Sequence, residues 1–246
     1  MQESNNYLMV GAGGTGTHLL GPLVTYLKSL HADNFMLHVV DGDVVEPKNL
    51  ERQAFLPGTI TMNKAEAALM PFKDDPRMKA YPEYLSEENL NRFIQDRDTV
   101  LLCVDNFTVR RHIEDYARTL PNLTVINGGN EKTDGSIQLW VRENGEDLTP
   151  RIGYLHPELK IATGDDRAAM TCVQAAALPG GEQTIIANLQ SATWMLTALW
   201  RAHQNLYRPI EGIEPKATTW TELQYDVVNG TVEHIDQRMS AHWRTA

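Results

Sequence analysis

The apolar run Tyr7–Val10 is followed at once by "GAGGTG" and then by a stretch whose apolar residues recur three and four apart. That order predicts a strand, a tight turn and a helix over about 15–30. "FMLHVVD" predicts a second strand ending at Asp41, which completes a β-α-β unit. "NKAEAALMPF" predicts a helix stopped by Pro71, and Ser86 reads as the N-cap of a helix in "EENLNRFI". "DTVLLCVD" is apolar throughout, as a strand buried on both faces requires, and "FTVRRHIEDYARTL" then has helical spacing. "LTVINGG" and "GSIQLWV" predict two more strands with a glycine-rich connection. A helix over 183–204 and a hairpin turning at Asn229-Gly230 complete the pattern. Strands alternating with helices predict an α/β fold: a Rossmann-like, mostly parallel sheet flanked by helices, with mixed or antiparallel strands towards the C-terminus.

Composition adds limits. The 246 residues, 42% hydrophobic, suffice for one substantial core. The expected organisation is a single domain over 1–246: a nucleotide-binding core over 1–141, a polar crossover segment over 142–182 that carries Cys172, and a C-terminal helix and hairpin over 183–246. A net charge of −10 argues against nucleic acid as a partner, since phosphate binding wants a basic face. The two cysteines, Cys103 and Cys172, do not suit a disulfide framework or a structural zinc site of paired C-x-x-C motifs. The first ten residues lack the basic start and apolar core of a signal peptide. The most apolar stretch is interrupted by Asn188, Gln190 and Ser191, so it reads as a buried helix. The expectation is a cytoplasmic protein without a membrane span.

The chemistry-bearing positions start at the turn. Gly11, Gly13, Gly14 and Gly16 let backbone N–H groups approach a phosphate at a helix N-terminus. Alone they fit NAD, FAD, S-adenosylmethionine or ATP equally. Asp41, ending the second strand, has the position of the acid that grips ribose hydroxyls in dinucleotide folds. The stretch "VVDGDVVEPKNLERQAF" then crowds carboxylates, amides, a lysine and an arginine behind an apolar run, which a nicotinamide site does not require.

The series "GAGGTG", "DGDVVEPKNLERQ", Asn63-Lys64 and "CVDN" at Cys103–Asn106 resembles the ThiF/MoeB/HesA family, the bacterial relatives of ubiquitin-activating enzymes. The match is good over residues 7–141 and looser through "TCVQAAALPGGEQTIIANLQSATWML". A nearer resemblance is to the short ThiF-like proteins of plasmid-borne PRTRC gene cassettes. The resemblance implies ATP-dependent adenylation of a carboxylate, usually the C-terminal glycine of a ubiquitin-like or small carrier protein, by a homodimer. It implies that Asp41 binds the ribose. Asn49, Arg52, Gln53 and Lys64 would surround the triphosphate, and Asp105 would hold Mg²⁺. Arginine offers phosphate a planar fork, and magnesium prefers one or two carboxylates with phosphate and water. Cys172 is a candidate thioester acceptor. Arg52, Asp105 and Cys172 are thus the candidate catalytic residues. Asp43 reads as a brace, Arg110 and Arg111 as structural, His18 as a packed or half-exposed helix residue, and Cys103 as inert core. The family's arginine that reaches into the partner subunit's site is expected to be missing here or to come from elsewhere, Arg142 or Arg151, because no basic residue precedes the first strand. The apolar residues Trp194, Leu196, Leu199 and Trp200 support a dimer or belong to the core. Two other readings stand beside adenylation. A nicotinamide or flavin oxidoreductase leaves Asn49, Arg52, Gln53, Lys64 and Asp105 without a role. A non-catalytic scaffold binding nucleotide or a ubiquitin-like protein leaves them without chemistry.

Overall fold

A computed structural model describes residues 5–157, 183–206 and 220–235. It opens with β1 (Asn6–Val10), α1 (Gly14–His31) and β2 (Met36–Val40). Then come α2 (Lys64–Leu69), β3 (Met78–Tyr81), α3 (Leu90–Phe93), β4 (Thr99–Leu102) and α4 (Phe107–Ala117). β5 (Leu123–Asn130), β6 (Asp134–Glu143), β7 (Glu146–Asp147) and α5 (Ile152–Leu155) follow. The last elements are α6 (Ile185–His203), β8 (Glu222–Asp226) and β9 (Thr231–Ile235). The strands form one sheet in the order β3-β2-β1-β4-β5-β6-β8-β9, with β7 paired to β6. β3 through β5 are parallel, and β6, β8 and β9 add antiparallel to them and to each other. No helix among the described residues is long and apolar enough to cross a membrane.

Each face of the sheet has its own core. On one face α1, α2 and α6 bury Leu19, Leu23, Leu69, Met195 and Leu199. On the other, α3, α4 and α5 bury Leu90, Phe93, Ile113 and Ile152 against Trp140. β1 and β4 are neighbours, yet the helices that follow them leave to opposite faces. A crevice opens at such a switch point, outside the carboxyl ends of the strands.

Local chemistry explains where prediction and structure part. β3 has no apolar alternation and is half-buried at the sheet edge, so the sequence pattern does not announce it. Ser86 caps no helix: its N–H donates to Asn89 Oδ1 at 2.8 Å, and only the single turn Leu90–Phe93 is helical. The glycines expected between β5 and β6 lie inside the strands. Side chains would collide there: a Cβ on Gly128 would meet Met195, and one on Gly135 would meet Tyr225 and the Gly129 carbonyl. The apolar residues of α6 are divided. Leu199 is core, Trp194 and Leu196 pack half-buried against it, and the exposed apolar residues are Ile185, Ile186, Leu189 and Trp200. The Asn229-Gly230 hairpin forms as read, with Gly230 at φ 64° and the Asp226 carboxylate accepting from the N–H groups of Val228 and Asn229.

The last residues of α1 and α6, His31 and His203, meet Tyr7 and Tyr26. Tyr7 Oη lies 2.7 Å from His31 Nε2 and 3.2 Å from His203 Nε2, and Tyr26 Oη lies 2.8 Å from His203 Nδ1. Burial, reinforced by His31, pushes His203 down to about 4 from an ordinary 6.5. Between those values the unfolded chain binds a proton that the native chain refuses, so stability falls as pH drops from about 6.5 to about 4. His203→Gln removes that titration. Its unfolding free energy, from urea curves, is expected to depend less steeply on pH across this window than wild type; equal slopes would exclude the role.

Candidate functional site

The Asp41 carboxylate joins two loops at the mouth of the crevice. Its Oδ2 accepts from Ala12 N–H at 2.7 Å in the glycine turn, and its Oδ1 from Asp43 N–H at 2.8 Å. Burial lifts its carboxyl above the usual range, against the pull of Lys64 and of the two N–H groups. The turn needs glycine at three of its four glycine positions. Gly11 has φ 92°, a Cβ on Gly16 would strike the Gly11 carbonyl, and a Cβ on Gly14 would strike Asn188. Gly13 caps α1 without any side-chain hydrogen bond, so the N–H groups of the first turn are left for a ligand.

The loop after β2 is braced from below. Lys64 Nζ, nearly buried, bonds Asp43 Oδ2 at 2.8 Å, and Tyr84 Oη donates to Asp43 Oδ1 at 2.6 Å. Burial alone would raise the Asp43 carboxyl, but these partners outweigh it and hold it below its usual value. Asn63 caps α2 with its oxygen and donates with its Nδ2 to the carbonyls of Asp41 and Asp43. Asn49, fully buried, closes a short 3-10 turn with Glu46: its Oδ1 accepts the Glu46 N–H at 2.8 Å.

Arg52 reaches into the crevice, where its Nη1 donates to Gln183 Oε1 at 2.6 Å. Its carbonyl accepts from His18 Nε2 and from Asn188 Nδ2, each at 3.1 Å. Gln53 is buried with Oε1 lacking a partner among the described residues. Asp105 lies just beyond β4 and makes no hydrogen bond with the described residues. The next residue, Asn106, caps α4 by accepting from Val109 N–H, so capping leaves Asp105 free. Arg110 Nη2 donates to the Val104 carbonyl at 2.6 Å and fixes the backbone beside Asp105. Burial pulls its guanidinium down from its ordinary value, and Asp105 opposes that pull. Cys103 packs its Sγ 3.9 Å from Met195 Sδ, and burial pushes its thiol up to about 12 in spite of Arg110.

These groups line one cleft of about 1300 Å³, larger than a small-molecule pocket of roughly 300–1,000 Å³. Its far part is floored by β5, β6 and β8. There the buried Glu222 accepts from Gln138 Nε2 at 3.1 Å and pairs with His156 Nε2 at 2.9 Å. Burial pushes the Glu222 carboxyl up, but His156 and the amides of Gln138 and Gln224 more than offset it, leaving it below its usual value. Gln138 Oε1 in turn accepts from Asn127 Nδ2 at 2.5 Å.

A family model described as the ThiF family matches residues 2–240. The chain belongs to the ThiF family. Adenylyltransferase and sulfurtransferase UBA4 of Eremothecium gossypii is 33% identical over 146 residues, which are 58% of this chain and 31% of that protein. The protein of the same description from Ogataea parapolymorpha is 33% identical over 141 residues, 56% and 34% of the two chains. The chain thus spans about a third of the length of these curated relatives. Among solved structures, E. coli MccB with ATP aligns with a TM-score of 0.67 at 15% identity, covering 95% of this chain and 64% of that one. The fold is therefore that of MccB.

The ThiF-family positions read from sequence converge on this cleft. It is lined by Gly11, Gly13, Gly14, Asp41, Asn49, Arg52, Gln53, Lys64 and Asp105, whereas Gly16 acts one layer back, through the turn. Asn49 is committed to its own turn through Oδ1, and Lys64 to Asp43. Cys172 lies outside the described residues. Arg142 and Arg151 both pair with Asp147, at 2.8 and 3.5 Å, and neither lines the cleft. Sequence reasoning missed Tyr84, Gln183 and the Glu222 floor, which carried no signal, and noted Asn63 only beside Lys64 in the family series, without its N-cap role, which its place before a helix signalled.

Proposed function

We propose that this chain uses ATP to adenylate a carboxylate, the C-terminal glycine of a ubiquitin-like or small carrier protein. One observation carries the reading: phosphate-type cations, a ribose-type acid and a free carboxylate line the same cleft at the carboxyl ends of β1, β2 and β4. The names of the curated relatives and the ATP complex of MccB support it. A carboxylate oxygen attacks the α-phosphorus, the bond to the bridging oxygen breaks, and pyrophosphate leaves with the electron pair. The N–H groups of the glycine turn and Arg52 hold the phosphates in line, with Lys64 adding charge from the Asp43 pair. Asp41 takes the ribose hydroxyls. Asp105, which makes no hydrogen bond with the described residues, would hold Mg²⁺, and the ion would supply neutralisation of phosphate charge. A nicotinamide site would leave Arg52, Lys64 and Asp105 idle.

Two finer steps belong to the same reading. The Cys172 thiolate takes the acyl group from the adenylate and releases AMP, since the half-buried Cys103 packs on Met195 with its thiol pushed up to about 12 and stays protonated. A second copy covers the exposed Ile185, Ile186, Leu189 and Trp200 of α6, four large apolar side chains on one helix.

ATP·Mg²⁺ is expected to raise the thermal midpoint and NAD⁺ to leave it unchanged. Arg52→Ala and Asp105→Ala are each expected to slow ATP–pyrophosphate exchange by about 100-fold or more while the circular dichroism spectrum is kept. Stabilisation by NAD⁺ but not ATP would refute the reading, and binding of ATP without exchange would leave a scaffold.

Cys172→Ala is expected to retain exchange and to lose any reducible adduct with the carrier protein. Wild-type protein that adenylates but never forms the adduct would confine the chemistry to the adenylate.

Light scattering at micromolar concentration is expected to give a dimer, and Leu189→Glu with Trp200→Glu a monomer. A wild-type monomer would exclude the second copy.

A further inference from the structure

Two helices end together near the start of β1, away from the cleft. α1 stops at His31 and α6 at His203, and neither histidine lines the cleft. Both imidazoles turn to one oxygen. Tyr7 Oη lies 2.7 Å from His31 Nε2 and 3.2 Å from His203 Nε2, so two ring nitrogens and a phenol oxygen converge. The two rings stand at 84° and meet that oxygen from different directions. As a hydrogen-bond cluster of neutral groups this demands opposite tautomers: Tyr7 donates to one ring and accepts from the other. A metal ion asks the same of both rings, a lone pair on Nε2.

The surroundings suit an ion. Donors about 2.0–2.1 Å from Zn²⁺ stand roughly 3.3 Å apart in a tetrahedron. The Tyr7–His203 spacing is close to that, and the Tyr7–His31 spacing is a short shift from it. A ligating imidazole needs a partner on its other nitrogen to fix its tautomer. Tyr26 Oη lies 2.8 Å from His203 Nδ1, and its ring stacks on the imidazole at 19°. With Nδ1–H donating to Tyr26, the Nε2 lone pair faces Tyr7. Both helices also bring their carbonyl ends, with their partial negative charge, to the same spot, which favours a cation. Both histidines are half-buried, so solvent reaches them. No three His, Cys, Asp or Glu side chains converge among the described residues; here the third donor is a phenol.

We propose that His31, His203 and Tyr7 form a site for a divalent transition metal of the zinc class, which clips the end of α1 to the end of α6. The ion takes the two Nε2 lone pairs, and Tyr7 binds through Oη as its proton passes to water. Two imidazoles and one oxygen suit Zn²⁺ or Cu²⁺ far better than Mg²⁺. The site uses no cysteine and no group of the cleft, so it stands whether or not the adenylation reading does. It joins, at their far ends, the helix that begins in the glycine turn and the helix whose Asn188 packs on Gly14.

The test uses the full chain, stripped with a chelator and held at about pH 7.5, where free imidazole is mostly neutral. Co²⁺ is the probe, because it occupies zinc sites and reports its coordination in the visible spectrum. One Co²⁺ per chain is expected to give the intense visible bands of a four-coordinate site, without the near-ultraviolet charge-transfer band of a thiolate ligand, and Zn²⁺ to bleach them. Zn²⁺ at about a hundredfold excess over its Kd is expected to raise the thermal midpoint by roughly 5 °C or more. His31→Gln and His203→Gln are each expected to abolish the bands and weaken Zn²⁺ binding by more than about 100-fold, and Tyr26→Phe to weaken it about tenfold with the bands kept. Tyr7→Phe, which keeps the ring in the core, is expected to shift the bands, and it guards against a folding defect in the glutamine variants. Absence of the bands in wild type, their survival in either histidine variant, or unchanged bands in Tyr7→Phe overturns the proposal and leaves a hydrogen-bond cluster.

Discussion

The whole arrangement hangs on one carboxylate. Asp41 ends β2 and accepts one N–H from the glycine turn and one from its own loop. Either bond alone would fix one loop; together they fix the distance between two. The first turn of α1, which presents backbone donors, and the loop that leads on to Arg52 are thereby set against each other. Around this clasp other side chains repeat the pattern of one group serving two segments. Asn63 caps α2 and holds the carbonyls of Asp41 and Asp43. Asn188, from α6, packs on Gly14 and holds the Arg52 carbonyl. The polar groups that build the site are mostly spent on one another, and among the described residues few are left over: the Gln53 Oε1, the Arg110 Nε, the Asn127 Oδ1 and the Asp105 carboxylate.

The sheet divides the labour. Its parallel half ends in helices that leave to opposite faces, which opens the crevice and aims backbone dipoles into it. Its antiparallel half continues the same floor without a helix N-terminus at the edge, and side chains rather than backbone set its charge.

Much of this was legible from the order of residues, and the exceptions have physical causes. β1, α1 and β2 announced themselves because short apolar runs bounded by a glycine turn and by an acid, with an amphipathic period between them, are strong local patterns. Asn229-Gly230 announced its turn because few residues accept a positive φ. β3 was silent because an edge strand of four half-buried residues needs no pattern. Ser86 misled because Asn89, three residues on, took its backbone N–H and made a turn. Asn188 was legible only as an interruption of an apolar stretch. Its use, bridging α6 to Gly14 and Arg52, depends on a contact across 136 residues that no local pattern encodes. The Glu222 floor was hidden for the same reason. It joins β5, β6, β8 and the end of α5, each unremarked as chemistry when read alone.

The thiol of Cys103 has a use in the laboratory that follows from its surroundings. The chain has two cysteines, and this one faces Met195 with its proton held to a pH near 12. Alkylating reagents attack thiolate, so at neutral pH Cys103 is chemically quiet. In a Cys172→Ala chain, a spin label or fluorophore taken up on heating or in denaturant therefore reports Cys103 alone and times the opening of the core between β4 and α6.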